Sequence, residues 1–347
     1  MSNMFCFQCQ EAAGCKACTV QGCCGKSAET ANSMDKLIYV LKQIAVAAEK
    51  TPNADVNKLG RFIIKALFTT ITNAQFDTAE VEKATVQAKA LLAEVAPGQA
   101  CEPTAAEVRV DAEANEDIRS LKELLIYGLK GAAAYTDHAL VLGYEDPEIY
   151  QFMIEGLAAT TKDPEVNELI GLVMKCGNTA VKAMALLDKA NTSTFGNPEI
   201  STVNIGVGTN PGILVSGHDL KDIKQLLEQT EGSGVDVYTH SEMLPSHYYP
   251  ELKKYEHLRG NYGGSWWKQR QEFKSFNGPI LMTTNCITPV ANDYKDRMFT
   301  TGRAGYPGVK HIPDADKKDF SEIIELAKTC PPPTEIETGQ SVGGFAH

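Results

Sequence analysis

Gly212-Ile-Leu-Val-Ser-Gly-His-Asp-Leu220, then Lys221-Asp-Ile-Lys-Gln-Leu-Leu-Glu-Gln-Thr230, then Val235-Asp-Val-Tyr-Thr-His240 decide how this chain folds. The first run is short, apolar and β-branched, as a buried strand is. The second puts Leu220, Ile223, Leu226 and Leu227 on one side of a helix and charged or amide residues on the other. The third reads as a strand again. Thr202–Val207 and Pro279–Thr284 are further short strand runs, and 319–329 is helical through Phe320, Ile323, Ile324 and Ala327. Alternation of strand, helix and strand predicts an α/β, Rossmann-like domain with a mostly parallel sheet over 196–335. Pro331–Pro333 stop the pattern.

Upstream the period is helical, and 31–195 reads as a helical-bundle domain. Leu37, Leu41, Ile44 and Ala48 share one face, with Ser33 as N-cap. Leu59, Phe62, Ile63, Ala66 and Leu67 make a second stripe. Asp77 and Glu80 resemble a capping box before Val81, Ala84, Ala88, Leu91 and Leu92. Further helices are expected at about 114–142, 147–160 and 164–190, with Pro147 and Pro164 in first turns. Residues 1–30 form a cysteine-bearing loop segment, and 336–347 read as the start of a further domain. The fold class is therefore multidomain, α and then α/β.

Composition limits the function classes. The formal net charge is −11, and no run of five or more Lys/Arg occurs. Electrostatics thus disfavours nucleic acid or an anionic membrane as the main partner. No apolar run approaches the roughly 18 residues of a membrane span. Met-Ser-Asn-Met-Phe-Cys6 has neither the basic nor the apolar region of a signal peptide, so a cytoplasmic location is expected. In a reducing compartment, clustered cysteines argue for metal or catalysis rather than disulfides.

Six of the ten cysteines fall within the first 24 residues: Cys6, Cys9, Cys15, Cys18, Cys23 and Cys24. A Cys-x2-Cys turn presents two thiolates to one group, and a second loop can complete a four-thiolate site. Iron–sulfur clusters take such sites, and so does structural zinc. Iron–sulfur is the first reading, zinc the second and a dithiol motif the third. Spacing alone leaves open which four thiols ligate and which two are bystanders.

A second constellation lies at predicted strand ends. His218 follows one strand, His240 and Glu242 the next, and Cys286 a third. Ligands of open parallel sheets bind outside the carboxyl ends of strands. Imidazole, carboxylate and thiolate meeting there suit a mixed-ligand iron site. Taken singly, each has a plain structural reading: a hydrogen-bonded loop histidine, a solvated carboxylate, a small buried thiol. Cys101, Cys176 and Cys330 are read as isolated structural thiols, Trp266 and Trp267 as residues that shape a pocket or simply pack, and His240 and His247 as supports behind the ligands or surface residues. Gly206-Val-Gly208 lacks the third glycine of a nucleotide loop.

Met4-Phe-Cys-Phe-Gln-Cys-Gln-Glu11, Gly14-Cys15 and Cys24-Gly-Lys26 resemble the opening of hybrid cluster proteins, the prismane or hydroxylamine reductase family. Gly212–Leu220, Tyr238-Thr-His-Ser-Glu-Met-Leu-Pro245, Gly278-Pro-Ile-Leu-Met-Thr-Thr-Asn-Cys286 and Pro331-Pro-Pro-Thr-Glu-Ile-Glu337 extend the likeness over nearly the whole chain. The resemblance implies a [4Fe-4S] cluster on Cys6, Cys9, Cys18 and Cys24, leaving Cys15 and Cys23 as extras. It also implies a hybrid [4Fe-2O-2S] cluster with His218, Glu242 and Cys286 among its ligands. The implied fold is that of anaerobic carbon monoxide dehydrogenases, a helical domain followed by two α/β domains. Two departures stand out. The family's other hybrid-cluster ligands, three cysteines and a second glutamate, belong to a C-terminal α/β domain beyond the part matched here. Ser241 replaces a glycine common in the family.

The implied activity is reduction of hydroxylamine to ammonia and water, with nitric oxide as a second substrate and a redox protein as electron donor. With three ligands of the hybrid site, the 347-residue chain alone is expected to lack that activity. Its α/β domain is expected to expose an apolar face that promotes self-association. The rival reading is a non-catalytic iron–sulfur protein for electron transfer or for sensing redox or nitrosative stress.

Overall fold

Ser27, not Ser33, caps the first helix, α1 (Ala28–Lys50), accepting the Thr30 N–H at 3.0 Å. Ser33 is buried inside that helix, so apolar spacing found the helix but started it late. A computed structural model describes residues 4–9, 11–99, 101–103, 108 and 110–344; residues 345–347, the end of the expected 336–347 segment, lie outside them. Asp55 caps α2 (Val56–Thr69) through the Lys58 N–H at 2.9 Å. The capping box of α3 (Thr78–Val95) is half formed. Asp77 accepts the Ala79 N–H at 3.0 Å, but its own N–H goes to Gln75, while Glu80 pairs with Lys83 at 3.5 Å. Asn115 and Asp146 cap α4 (Glu116–Val141) and α5 (Pro147–Ala159), and Pro147 occupies the first turn of α5. Helix α6 (Val166–Phe195) starts beyond Pro164.

The chain divides into two units, Met1–Asp188 and Lys189–His347. The core of the first is built by Leu37, Leu41, Ile44, Ile63, Leu67, Leu129, Met153 and Leu157, all fully buried. Helices α2 and α5 approach so closely at Gly60 that an added Cβ would sit 2.2 Å from the Tyr150 ring. Helix α6 is long and apolar enough, by length and composition alone, to cross a membrane, with 22% of its most apolar 18-residue window buried. Its inner face packs Cys176 and Ala183 into the bundle core, and Lys175 and Lys182 pair with Glu155 and Glu148 of α5. Its outer face exposes Val166, Ile170, Met174, Val181 and Met184.

In the second unit, strands β2 (Gly212–Ser216), β3 (Asp236–His240), β4 (Leu258–Asn261), β5 (Ile280–Met282), β6 (Met298–Thr300) and β7 (Lys310–His311) form one parallel sheet in the order β4-β3-β2-β5-β6-β7. Every residue of β2 and β3 is buried, as a parallel sheet covered on both faces requires. Asp219 caps α7 (Leu220–Thr230), which carries the chain from β2 to β3. Behind it, buried Asp222 accepts from Lys318 at 2.7 and 2.9 Å and from the Thr301 hydroxyl at 2.6 Å. The run at Thr202–Val207 contributes β1 (Ser201–Asn204), which leaves the main sheet and pairs antiparallel with β8 (Gln340–Gly343). Large exposed apolar side chains of this unit are Ile200, Trp267, Ile336 and Val342.

Candidate functional site

The N-terminal thiols are gathered by backbone turns. Cys6 and Cys18 face each other across an antiparallel bridge, each N–H donating to the other's carbonyl at 3.0 and 2.7 Å. Gly14 and Cys15 turn the chain between them, both in the left-handed region. A second turn closes from Gly22 to Lys26 at 2.8 Å, with Gly25 at φ 91°. A Cβ at Gly22 would meet the Cys24 sulfur at 3.0 Å, so the missing side chain leaves room for that thiol.

Two buried lysines lie against this loop. Lys26 contacts the Met34 sulfur at 3.0 Å, and burial lowers its pKa against the opposing pull of Cys24, Cys6, Asp35 and Cys9. Lys130, on α4, donates to Gln8 at 2.5 Å, and burial pulls it down to about 8. Burial pushes the Cys6 thiol up, and a backbone hydrogen bond at Gln8 and the Lys26 charge oppose that. Cys18 lies below the ordinary thiol range: burial opposes, but hydrogen bonds at Cys23 and Ala13 outweigh it.

Among the described residues, no three His, Cys, Asp or Glu side chains converge on a single ion. Tetrahedral zinc needs four donors about one point. A multi-iron cluster spreads its thiolates over several irons, and buried ammonium groups offset its negative charge. Thiols and lysines together fit the second description.

The other three residues stand at neighbouring strand ends. Strands β3, β2 and β5 are adjacent, and Glu242, His218 and Cys286 follow their carboxyl ends in that order. Each turn enters the left-handed region: Gly217 at φ 105°, Ser241 at 53° and Cys286 at 74°. Strain of this kind collects at functional sites. A Cβ on Gly217 would lie 2.5 Å from the Thr283 hydroxyl and 2.7 Å from the Thr284 nitrogen. That close approach lets Thr284 Oγ1 meet both the backbone N–H and Nδ1 of His218 at 2.9 Å. Ser241 bears a side chain where glycine would be unstrained, and its hydroxyl donates to Glu242. Glu242 in turn meets the Cys286 thiol, which burial first and this carboxylate second push up to about 12. The structure thus joins Glu242 to Cys286 directly, with His218 on the strand between theirs.

Of the residues behind this row, sequence reasoning named His240 and missed Glu272 and Gln269. His240 is fully buried, its Nε2 2.8 Å from Glu272 and its Nδ1 3.3 Å from the Ser216 hydroxyl. Glu272 also accepts the Gly264 N–H at 3.1 Å. The Gln269 amide donates to the Cys286 carbonyl. Glu272 and Gln269 sit on a short helix with no motif to mark them; the one local signal for Glu272 is Gly263, where an added Cβ would lie 2.5 Å from its carboxylate. His247 is buried against Thr239 at 3.0 Å, the Gly208 N–H donates to the Tyr238 hydroxyl at 2.7 Å, and Cys330 contacts the Leu326 carbonyl. Trp266 and Trp267 stack edge-on at 5.6 Å, with Trp267 exposed.

A model of the Prismane/CO dehydrogenase family matches residues 4–341. Among curated relatives, a hydroxylamine reductase of Chlorobaculum tepidum is 57% identical over 365 residues, covering 99% of this chain and 68% of its own length. A hydroxylamine reductase of Desulfosudis oleivorans is 58% identical over 373 residues with the same coverage. Carbon monoxide dehydrogenase IV from Carboxydothermus hydrogenoformans superposes on 99% of this chain with a TM-score of 0.46 at 16% identity. The chain spans 58% of that structure's length.

Proposed function

We propose that this chain, which belongs to the Prismane/CO dehydrogenase family, serves the two-electron reduction of hydroxylamine to ammonia and water. In this reading Cys6, Cys9, Cys18 and Cys24 hold a [4Fe-4S] cluster. His218, Glu242 and Cys286 contribute to a second, hybrid iron–sulfur–oxygen cluster. These groups, when bound, supply the electrons and a Lewis-acidic iron. The protein supplies the rest. Thr284 engages Nδ1 of His218 and so presents Nε2 as the ligating nitrogen. The Ser241 hydroxyl orients Glu242. Cleaving the N–O bond consumes two electrons and two protons, and the buried His240–Glu272 hydrogen bond fixes the strand end that precedes Glu242.

The observation that carries the reading is the row of carboxylate, imidazole and thiol on three adjacent parallel strands, in a chain more than half identical to hydroxylamine reductases. Nitric oxide is a second substrate under the same reading. A reducing, cytoplasmic compartment agrees with ten free cysteines. The test is anaerobic reconstitution, reduction by viologen, and addition of hydroxylamine. The expected result is two distinct EPR signals; with three hybrid-site ligands on these 347 residues, ammonia from this chain alone is expected to stay far below the turnover of a longer relative. His218→Ala and Cys286→Ser should lose the second signal. A cubane signal alone selects the other reading, a cluster protein that transfers or senses electrons.

A further inference from the structure

The N-terminal loop carries two thiols beyond the four that a cluster takes, and one of them is placed for chemistry. Cys23 is exposed, and its sulfur lies 3.8 Å from that of buried Cys18. A disulfide brings two sulfurs to about 2.05 Å, so side-chain rotation within this loop closes the gap. Only Thr19-Val-Gln-Gly22 separate the two cysteines, and Val20 of that stretch is 79% exposed. Cys18 is packed with Met4 and Ala31 in a small buried cluster, so the movement falls to exposed Cys23 and its loop. The Cys24 sulfur lies 3.0 Å from where a Cβ on Gly22 would sit.

We infer that Cys18 and Cys23 form a reversible disulfide whenever the cluster is not bound, and that Cys23 is the entry point for small disulfide oxidants. The exposed Cys23 thiolate attacks one sulfur of the oxidant RSSR, releasing RSH and leaving a mixed disulfide. Cys18 then attacks the Cys23 sulfur and displaces the second RSH. Two protein thiols lose two electrons and two protons in total, and RSSR gains both to become two RSH. The consequence rests on Cys18 being a cluster ligand, as proposed above. The oxidised loop has one ligand fewer, so iron loading waits for a reductant. Cys23 is then a guard thiol rather than a bystander.

Trypsin makes the test direct, because Lys16 and Lys26 bracket Cys18, Cys23 and Cys24 in the single peptide Ala17–Lys26. The full chain, without cluster, is reduced, desalted, exposed to glutathione disulfide, alkylated and digested. The expected peptide has lost two hydrogens and carries one alkyl group, on Cys24. Iron uptake without added thiol falls several-fold, and dithiothreitol restores it. Cys23→Ser keeps Cys18 and Cys24 alkylated, and takes up iron after oxidant as fast as reduced wild type. Three alkyl groups on the wild-type peptide, a bond between Cys23 and Cys24, or a glutathione adduct that persists on Cys23 would each overturn the inference. If the disulfide forms but the reduced chain takes up no iron, the cluster assignment fails and the thiol chemistry stands.

Discussion

Gly217 is where one residue matters most to the strand-end site. Its φ of 105° and the 2.5 Å approach to Thr283 leave no room for a side chain. Gly217→Ala should cost about 2–4 kcal/mol in urea unfolding and displace His218. Gly131 is the control: it lies in α4 with open space around it, and Gly131→Ala should raise stability by about 0.5–1 kcal/mol. Equal effects at the two positions would contradict this account of the turn. At this scale the sequence was legible where chemistry is concentrated. Cysteine density marked the loop, and placement after strand runs marked His218, Glu242 and Cys286. Thr284, Glu272 and Gln269 were illegible, because their roles come from long-range pairing: 66 residues separate His218 from Thr284.

Elements were legible when they were long. About three turns of apolar spacing, Leu37 to Ala48, announce α1, whereas β6 and β7 have three and two residues and no period to read. Caps were legible only in part, because several polar residues compete for each helix start, as Ser27 and Ser33 do. The segment from Ser241 to Tyr248 gives a pH prediction. Burial drives its His247 down to about 4, well under the usual histidine value, with a Gly260 backbone hydrogen bond opposing. The unfolded chain therefore binds a proton near pH 6.5 that the folded one refuses until about pH 4. Stability is complete above pH 6.5 and falls as the pH drops toward 4. Between pH 7 and pH 5 this group should remove about 2 kcal/mol, read as a shift in urea midpoint. His247→Gln, which keeps a partner for Thr239, should flatten that dependence; an unchanged slope would count against the assignment.

On the scale of the whole molecule, the two units carry different parts of the chemistry. The helical unit shelters a thiol loop over buried lysines, and the sheet unit lines up a carboxylate, an imidazole and a thiol. Their order along the chain, helical and then α/β, was readable from the change in apolar period near Asn191. The withdrawal of β1 to pair with β8 was not, since 136 residues separate Asn204 from Gln340 and no local pattern spans them. The central claim is that Cys6, Cys9, Cys18 and Cys24, and not their neighbours, hold a four-iron cluster. Iron and acid-labile sulfide, counted on anaerobically reconstituted wild type, Cys24→Ser and Cys23→Ser, test it most directly. The account predicts that Cys24→Ser loses about four irons and as many sulfides relative to wild type, and that Cys23→Ser loses none. Zinc in place of iron, or a full iron count surviving in Cys24→Ser, would contradict it.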